Sequence, residues 1–358
     1  MPHDARIDES AAHTRPNPAL LAGLALAIGG LALHALWLST TRPFALDEFT
    51  YAHAGWQMAQ GQLPYRDFFA HHTPLLWQLL APIAAATTTA SGYLAAARWA
   101  AVAGWLLQLG LVWRLLRPRI GGRHGDAGWA GIYALLGPLA LLAMPGWLDH
   151  AIELRPDGLA LTLLLAALAA IDTTRRSEAT TNIDRQRWRH VAAGILVVAG
   201  CWASPKVAIY GAALLPLWLI GATSAVWPRK RPAWLAAAGV GRPGAAVAGA
   251  LAALALIAAW LVGNGLWLAF VQWVIRWPLT YEAGYAGFVW WLWLLPSLQG
   301  NEGLVLVALI GWATTLATLL RPGSLRPPAT PPASATVTWT LLAMAPLALA
   351  SAAVQSAA

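Results

Sequence analysis

Runs of apolar residues long enough to cross a lipid bilayer recur along this sequence, and they restrict its fold more than any other feature. A bilayer core takes about 20 apolar residues per helical crossing. Only 11% of the residues are charged, against about 25% in a soluble domain, so the composition is that of a membrane protein. We predict an all-α polytopic fold with spans at 18–40, 92–114, 127–145, 156–172, 191–204, 206–226, 244–269, 302–320 and 337–355.

The first apolar run is predicted to be a retained span and not a cleaved signal peptide. Its apolar core is long, and Ser-Thr-Thr-Arg-Pro follows it instead of a small-residue cleavage site. We therefore expect a cytoplasmic tail at 1–17 and one transmembrane domain at 18–358. That domain would include a Pro-rich cytoplasmic linker at 321–336, with no soluble C-terminal domain.

The distribution of Lys and Arg predicts which loops face which side. With the N-terminus in the cytoplasm, 17 of the 23 Lys and Arg residues fall in cytoplasmic stretches, as the positive-inside rule requires. Counting the short apolar segment 74–88 as a span would move the basic cluster at 114–123 to the outside. We therefore predict that 74–88 is a helix on the membrane surface. The net charge of +8 then reflects topology and indicates no nucleic-acid partner.

The first outer loop, placed at 41–91, contains the most concentrated polar chemistry. Its stretch DEFTYAHAGWQMAQ has helical periodicity, with Asp47 predicted as the N-cap and Gly61 as the stop. A second surface helix follows, for which we predict Thr73 as the cap and Pro74 as the first residue. Two interfacial amphipathic helices are therefore expected in this loop.

Asp47 and Glu48 are the candidate catalytic carboxylates. Two adjacent acids near lipid are costly, and their pKa values tend to differ, so that one is ionised while the other is protonated. This suits a general base or a group that orients an acceptor. The alternative, which the spacing leaves equally open, is that Asp47 only caps the helix and Glu48 is a solvated acid of the first turn.

Other ionisable residues are predicted to share this outer face. His71 and His72 begin the second surface helix, where an anion would be favoured, although ordinary interfacial histidines explain them as well. Lys206 at a predicted hairpin apex needs an anionic partner or extends to the interface. The second outer loop, at 145–156, and the start of the next span contribute Asp149, His150, Glu153, Arg155 and Asp157.

A few cations among many acids, at headgroup depth, suit a substrate that carries a lipid phosphate. Arg155, Lys206 and His72 are the candidate phosphate contacts, and a carboxylate would activate an attacking hydroxyl or amine. No cofactor is required by this pattern, but a divalent cation between Asp47 and the phosphate stays an open alternative. The single cysteine, Cys201, rules out a disulfide framework or a cysteine zinc cluster within one chain.

The run DEFTYAHAGWQMAQGQLPYRDFFAHHTPLL resembles the first outer loop of the GT-C glycosyltransferases. These membrane enzymes use polyprenyl-phosphate sugars and include protein O-mannosyltransferases and the lipid A aminoarabinose transferase. LRPDGLALTLLLAAL and WASPKVAIYGAALL are similar to later spans of bacterial members, so the resemblance covers about residues 20–225. It implies that the predicted bundle of about nine helices is GT-C-like and lies in the bacterial cytoplasmic membrane, with an active site on the outer face.

The resemblance also implies roles for individual residues. Asp47 would be the base and Glu48 its neighbour near the acceptor. Donor or phosphate contacts would come from His72, Arg155, Lys206 and Arg66. Further candidates are Tyr65, Asp67, His71, Asp149, His150 and Asp157. The expected partners are a polyprenyl-phosphate-linked sugar, membrane lipids, and a lipid, protein or polysaccharide acceptor.

Two other functions compete with an inverting glycosyl transfer. A transporter or flippase of a lipid-linked or anionic solute would place ionisable groups deep within its spans. Arg98 is the one basic residue inside a predicted span, and the acids lie in outer loops, which favours chemistry at the outer face. A non-catalytic scaffold for envelope assembly is the third alternative.

Overall fold

The structure is a computed structural model that describes residues 18–120, 127–142, 148, 151–171, 183–205, 243–277 and 280. Within these ranges the chain is helical and contains no strand. The helices are α1 (Pro18–Thr41), α2 (Leu46–Ala59), α3 (Leu75–Ala86), α4 (Ala90–Ile120), α5 (Ala127–Leu142), α6 (Pro156–Ile171), α7 (Ile183–Ala203), α8 (Pro243–Gly263) and α9 (Trp267–Phe270). A π-helical segment at Val271–Arg276 follows α9 directly.

Three of these helices are long and apolar enough to cross a membrane: Pro18–Thr41, Ala90–Arg117 within α4, and Gly244–Gly263 within α8. The all-helical membrane class is therefore confirmed at this level. Helix α7 begins at Ile183, well before the predicted residue 191, because hydropathy detects only the apolar part of a helix whose first turns are charged. The predicted spans at 206–226, 302–320 and 337–355 lie outside the described residues.

Helix α3 has 12 residues, which corresponds to about 18 Å of helix and is too short for a hydrocarbon core of about 30 Å. This length agrees with the prediction that segment 74–88 is not a span. The helix packs against α2 and α4 at Gly55, where a Cβ atom would lie 2.6 Å from Tyr93 Oη and 2.7 Å from Leu80 Cβ. The close approach holds α2 against α3 and the first turn of α4.

The N-terminus of α2 differs from the prediction. Ala45, not Asp47, is the N-cap, so Asp47 lies at the second helical position and Glu48 at the third. Glu48 Oε2 accepts a hydrogen bond from the Ala45 N–H at 2.9 Å. A carboxylate at the third position can reach back to the cap residue in this way, so the helix begins without a polar cap side chain.

The C-terminus of α2 confirms the predicted role of Gly61. Its φ angle is +80°, a left-handed conformation that favours glycine after the last helical turn. The Gly61 N–H donates to Met58 O at 3.0 Å and the Gln62 N–H donates to Gln57 O at 3.1 Å, which is the Schellman arrangement.

The predicted cap of α3 is wrong. Pro74 is itself the N-cap, so Thr73 lies one residue too early to reach the first free N–H groups of the helix. Among the described residues, Thr73 Oγ1 is buried and has no hydrogen-bond partner.

Helices α7 and α8 cross with their backbones in contact. A Cβ atom on Gly194 would lie 1.9 Å from Ala246 O, and one on Gly249 would lie 2.1 Å from Val191 O. Small residues allow such close crossings between helices. A second crossing, between α4 and α6, is joined by Gln108 Nε2, which donates to Gly158 O at 2.8 Å and to Thr162 Oγ1 at 2.9 Å.

Candidate active site

A buried ion pair lies beneath the candidate site. Arg98 of α4 donates to Glu48 through Nε at 3.0 Å and through Nη2 at 2.5 Å, and Glu48 is 0% exposed. The guanidinium also donates to the carbonyl oxygens of Ser39, Arg42 and Pro43 and lies 3.7 Å from the centroid of the Phe44 ring. A buried charge is tolerated when it is paired and hydrogen-bonded, and here both partners meet that condition.

Glu48 also connects α2 to the segment that precedes α6. Its Oε1 accepts the Leu154 N–H at 3.1 Å, in addition to the Arg98 Nε–H. Its Oε2 accepts from Ala45 and from Arg98 Nη2. Glu48 is therefore neither a solvated first-turn acid nor a group that a substrate can reach in this structure. Its geometry is that of a positioning residue.

Asp47 is the half-exposed member of the carboxylate pair. Its Oδ2 lies 3.1 Å from Arg155 Nη2, and its side chain is 50% exposed. Arg155 Nε contacts Glu153, which is 4% exposed and also accepts from Arg42 Nη2 at 2.5 Å. The result is a chain of ion pairs that runs from the buried Glu153 to the surface at Asp47.

Electrostatics link Asp47 to the neighbouring side chains. Burial raises the pKa of Tyr51 far above its ordinary range; the negative charges of Asp47 and Asp157 raise it further, and Arg155 opposes them. The pKa of Arg155 is raised despite its partial burial, because Glu153 and Asp47 stabilise the charged form. Tyr51 thus stays protonated beside the carboxylates.

The Tyr65 turn, at residues 65–67, contains three of the predicted candidates: Tyr65, Arg66 and Asp67. Tyr65 has a φ angle of +70°, a strained conformation for an aromatic residue, and its hydroxyl donates to His72 O at 2.7 Å. Its burial raises the pKa of the phenol. Asp67 closes the turn by accepting the Leu63 N–H at 2.8 Å, and the adjacent Arg66 lowers the pKa of its carboxyl.

Aromatic residues cover the His71–His72 side of this loop. The Phe69 ring is in edge contact with Trp273 at 5.1 Å and with Trp277 at 5.9 Å. His71 lies 4.0 Å from His72 and 5.2 Å from Trp277, between ring centroids. The segment 267–277 therefore packs across the loop that joins α2 to α3.

The structure brings the predicted residues of two loops together. Asp47 meets Arg155, Tyr51 lies 5.6 Å from His72 between ring centroids, and Asp157 accepts a hydrogen bond from Ser204 Oγ at 2.6 Å. Arg66 and Asp67 instead form an exposed pair of their own at 3.0 Å. Asp149, His150 and Lys206 lie outside the described residues.

The part of the chain that the structure describes does not provide a set of ligands for the divalent cation considered as an alternative. No group of three or more His, Cys, Asp or Glu side chains there is arranged to hold an ion. Asp47 and Arg155 contact each other directly, so the exposed carboxylate already has a cationic partner.

Sequence reasoning assigned no site role to Arg42, Tyr51 or Arg98, and it named Glu153 only as one of the ionisable residues of the second outer loop. One signal was present for Arg98, because a lone ionisable residue within an apolar span requires a buried partner. The partner of Arg42 is 111 residues away, and no local pattern predicts that pairing.

Comparison with protein-family models, with curated proteins and with solved structures gives no match to this chain.

Proposed function

We propose that this chain is a membrane glycosyltransferase of the GT-C type, which moves a sugar from a polyprenyl-phosphate donor to an acceptor on the outer face of the membrane. In this proposal the described helices belong to a bundle of about nine spans with a cytoplasmic N-terminus. The resemblance of residues 47–76 to the first outer loop of that family supports it.

The observation that carries the proposal is the setting of Asp47. Its half-exposed carboxylate lies at the start of α2, next to a guanidinium from a second loop and above helices that are apolar enough to span a membrane. A reaction at the membrane surface needs one accessible base and one cation in contact with an anionic leaving group, and these two residues supply both.

The reaction proceeds as a displacement at the anomeric carbon. The acceptor hydroxyl attacks that carbon while Asp47 takes the hydroxyl proton. The bond from the anomeric carbon to the phosphate oxygen breaks, and its electron pair leaves with the polyprenyl phosphate. Arg155 and His72 contact the phosphate, and Lys206 and Arg66 are additional donor contacts.

Glu48 has a positioning role in this scheme. It fixes the first turn of α2 through Ala45 and the segment before α6 through Leu154. Asp47 and Arg155 are the immediate chain neighbours of Glu48 and Leu154. The spacing between base and cation therefore depends on a carboxylate that itself stays out of contact with the substrate.

A transfer assay with the purified full chain tests the proposal. The chain is incubated in nanodiscs with a panel of polyprenyl-phosphate sugars and outer-membrane lipid, peptide or glycan acceptors, and release of polyprenyl phosphate is measured. We expect release with at least one donor and its loss, by at least about 100-fold, in Asp47→Asn. The matched control is Asp184→Asn, an exposed acid in the first turn of α7.

Three results would overturn different parts of the proposal. Full activity in Asp47→Asn would rule out Asp47 as the base, and loss of activity in the presence of a chelator would show that the reaction needs a bound cation. Movement of a lipid-linked sugar across the bilayer without release of polyprenyl phosphate would favour the flippase alternative.

A further inference from the structure

Arg155 contacts a second carboxylate, Glu153, through another nitrogen of the guanidinium that contacts Asp47, and the two contacts are unequal. Arg155 Nε contacts Glu153, and Arg155 Nη2 contacts Asp47 at 3.1 Å. Glu153 is 4% exposed and is also held by Arg42, whereas Asp47 is 50% exposed. One carboxylate is thus fixed inside the protein, and the other faces the surface.

These two contacts differ in how easily they are replaced. Breaking a buried ion pair leaves an uncompensated charge away from water, which is strongly unfavourable. An exposed pair contributes little, and either partner can be solvated or paired again at small cost. An incoming anion will therefore displace Asp47 and not Glu153.

We propose that a phosphate-bearing substrate takes the place of Asp47 on Arg155, so that substrate binding itself frees the Asp47 carboxylate to act as a base. This inference rests on the proposed function for the identity of the substrate. Without substrate, Asp47 neutralises Arg155 and is occupied. With substrate bound, the phosphate takes over Nη2 of the guanidinium from Asp47, and Glu153 keeps the arginine in position through Nε.

Two further observations suit an anion at this place. Arg155 directly precedes Pro156, the first residue of α6, and Asp47 lies in the first turn of α2. The N-terminal end of a helix favours negative charge. A phosphate also offers more acceptor oxygens to a guanidinium than a carboxylate does.

A double-mutant cycle on binding tests the exchange. The full chain in phosphatidylcholine nanodiscs is titrated by calorimetry with a polyprenyl monophosphate and, separately, with inorganic phosphate. Asp47→Asn removes the competitor, so we expect it to bind the lipid phosphate about two- to fivefold more tightly. Arg155→Gln should weaken binding, and Asp47→Asn should give no gain in the Arg155→Gln background.

Unchanged or weaker binding in Asp47→Asn overturns the exchange. Weaker binding would indicate instead that Asp47 helps to hold the phosphate through a bridging cation. A gain that persists in the Arg155→Gln background also overturns it, because the effect would then be general electrostatics. Binding of inorganic phosphate with the same cycle would retain the exchange but assign it to a free anion instead of a lipid.

The binding cycle tests the exchange, and the transfer assay tests the proposed function, so either can be rejected without the other. Sugar transfer with no gain in Asp47→Asn binding would keep the proposed function and reject the exchange. A gain without transfer by the wild-type chain would keep the anion site and reject the glycosyltransferase.

Discussion

Arg98 and Glu48 are 50 residues apart in sequence and form a buried ion pair, with Arg98 Nη2 at 2.5 Å from Glu48 Oε2. The pair joins α4 to the first turn of α2, and through Leu154 it also holds the segment before α6. The accessible Asp47 and Arg155 are arranged around this pair. It therefore connects the stability of the fold to the geometry of the candidate site.

We predict that Glu48→Gln destabilises the protein by about 3–5 kcal/mol, because it leaves the Arg98 charge buried without a counterion. The measurement is thermal unfolding followed by a thiol-reactive dye. Cys201 is the single cysteine and lies partly buried in α7, so one site reports unfolding. Asp184→Asn should leave the midpoint unchanged. A Glu48→Gln midpoint equal to that of the wild type would contradict the role of the pair.

The double variant Glu48→Gln with Arg98→Gln is expected to be more stable than Glu48→Gln alone. Two amides can hydrogen-bond to each other and to the surrounding backbone groups, and no buried charge remains. The same dye assay gives the coupling energy, for which we expect about 0.5–3 kcal/mol. Strictly additive losses would mean that the two side chains act independently.

Gly194→Ala is predicted to destabilise the crossing of α7 and α8 by about 1–3 kcal/mol, the usual range for overpacking. Its Cβ atom would lie 1.9 Å from Ala246 O, a backbone atom that cannot turn away as a side chain would. The matched control is Gly110→Ala in α4, where a Cβ atom meets nothing within 4 Å and alanine favours the helix. Equal midpoints for the two variants would contradict the close crossing.

Stability is expected to fall as the pH rises above about 10. The pKa values of Tyr51 and Tyr65 are raised by burial in the folded chain, so these phenols stay protonated when folded and ionise when unfolded. Their contribution is complete below the unfolded pKa and decreases as pH rises past it. The double variant Tyr51→Phe with Tyr65→Phe should lose less stability between pH 8 and pH 11 than the wild type does. An identical loss would show that other groups determine the alkaline limit.

Trp273→Ala is predicted to expose the Tyr65 turn to protease. Trp273 contacts Phe69 and thereby holds the loop, and the side chain of Arg66 is already 54% exposed. Limited trypsin digestion followed by mass spectrometry should detect faster cleavage after Arg66 than in the wild type. Trp188→Ala, an exposed residue near the start of α7, is the control. Equal cleavage rates would mean that the π-helical segment does not restrain the loop.

Local patterns predicted the local structure well. The apolar runs located α1, α4 and α8, and the Gly61 stop of α2 followed from the conformational freedom of glycine. The cap of α2 did not follow, because Glu48 reaches back to Ala45 and makes a polar cap unnecessary. The cap of α3 did not follow either, since Pro74 occupies that position.

The contacts that build the candidate site were beyond sequence reasoning. Asp47 and Arg155 were both identified as ionisable residues of predicted outer loops, but their mutual contact depends on how the segment before α6 lies against the first turn of α2. The pairing of Arg42 with Glu153 depends on the same packing. The sequence alone also does not show that Asp47 is the accessible carboxylate of the pair and Glu48 the buried one.

The order of the residues along the chain has a consequence for biogenesis. Glu48 precedes Arg98, so the acid that neutralises this cation has already been synthesised when the apolar helix α4 is made. An unpaired arginine within an apolar helix is costly to insert, and early pairing reduces that cost. The last hydrogen bond to Glu48 comes from Leu154, 106 residues after it. The Glu48–Arg98 pair therefore joins α2 to α4 before α6 is made, and the cation of the candidate site, Arg155, reaches Asp47 only when α6 is added.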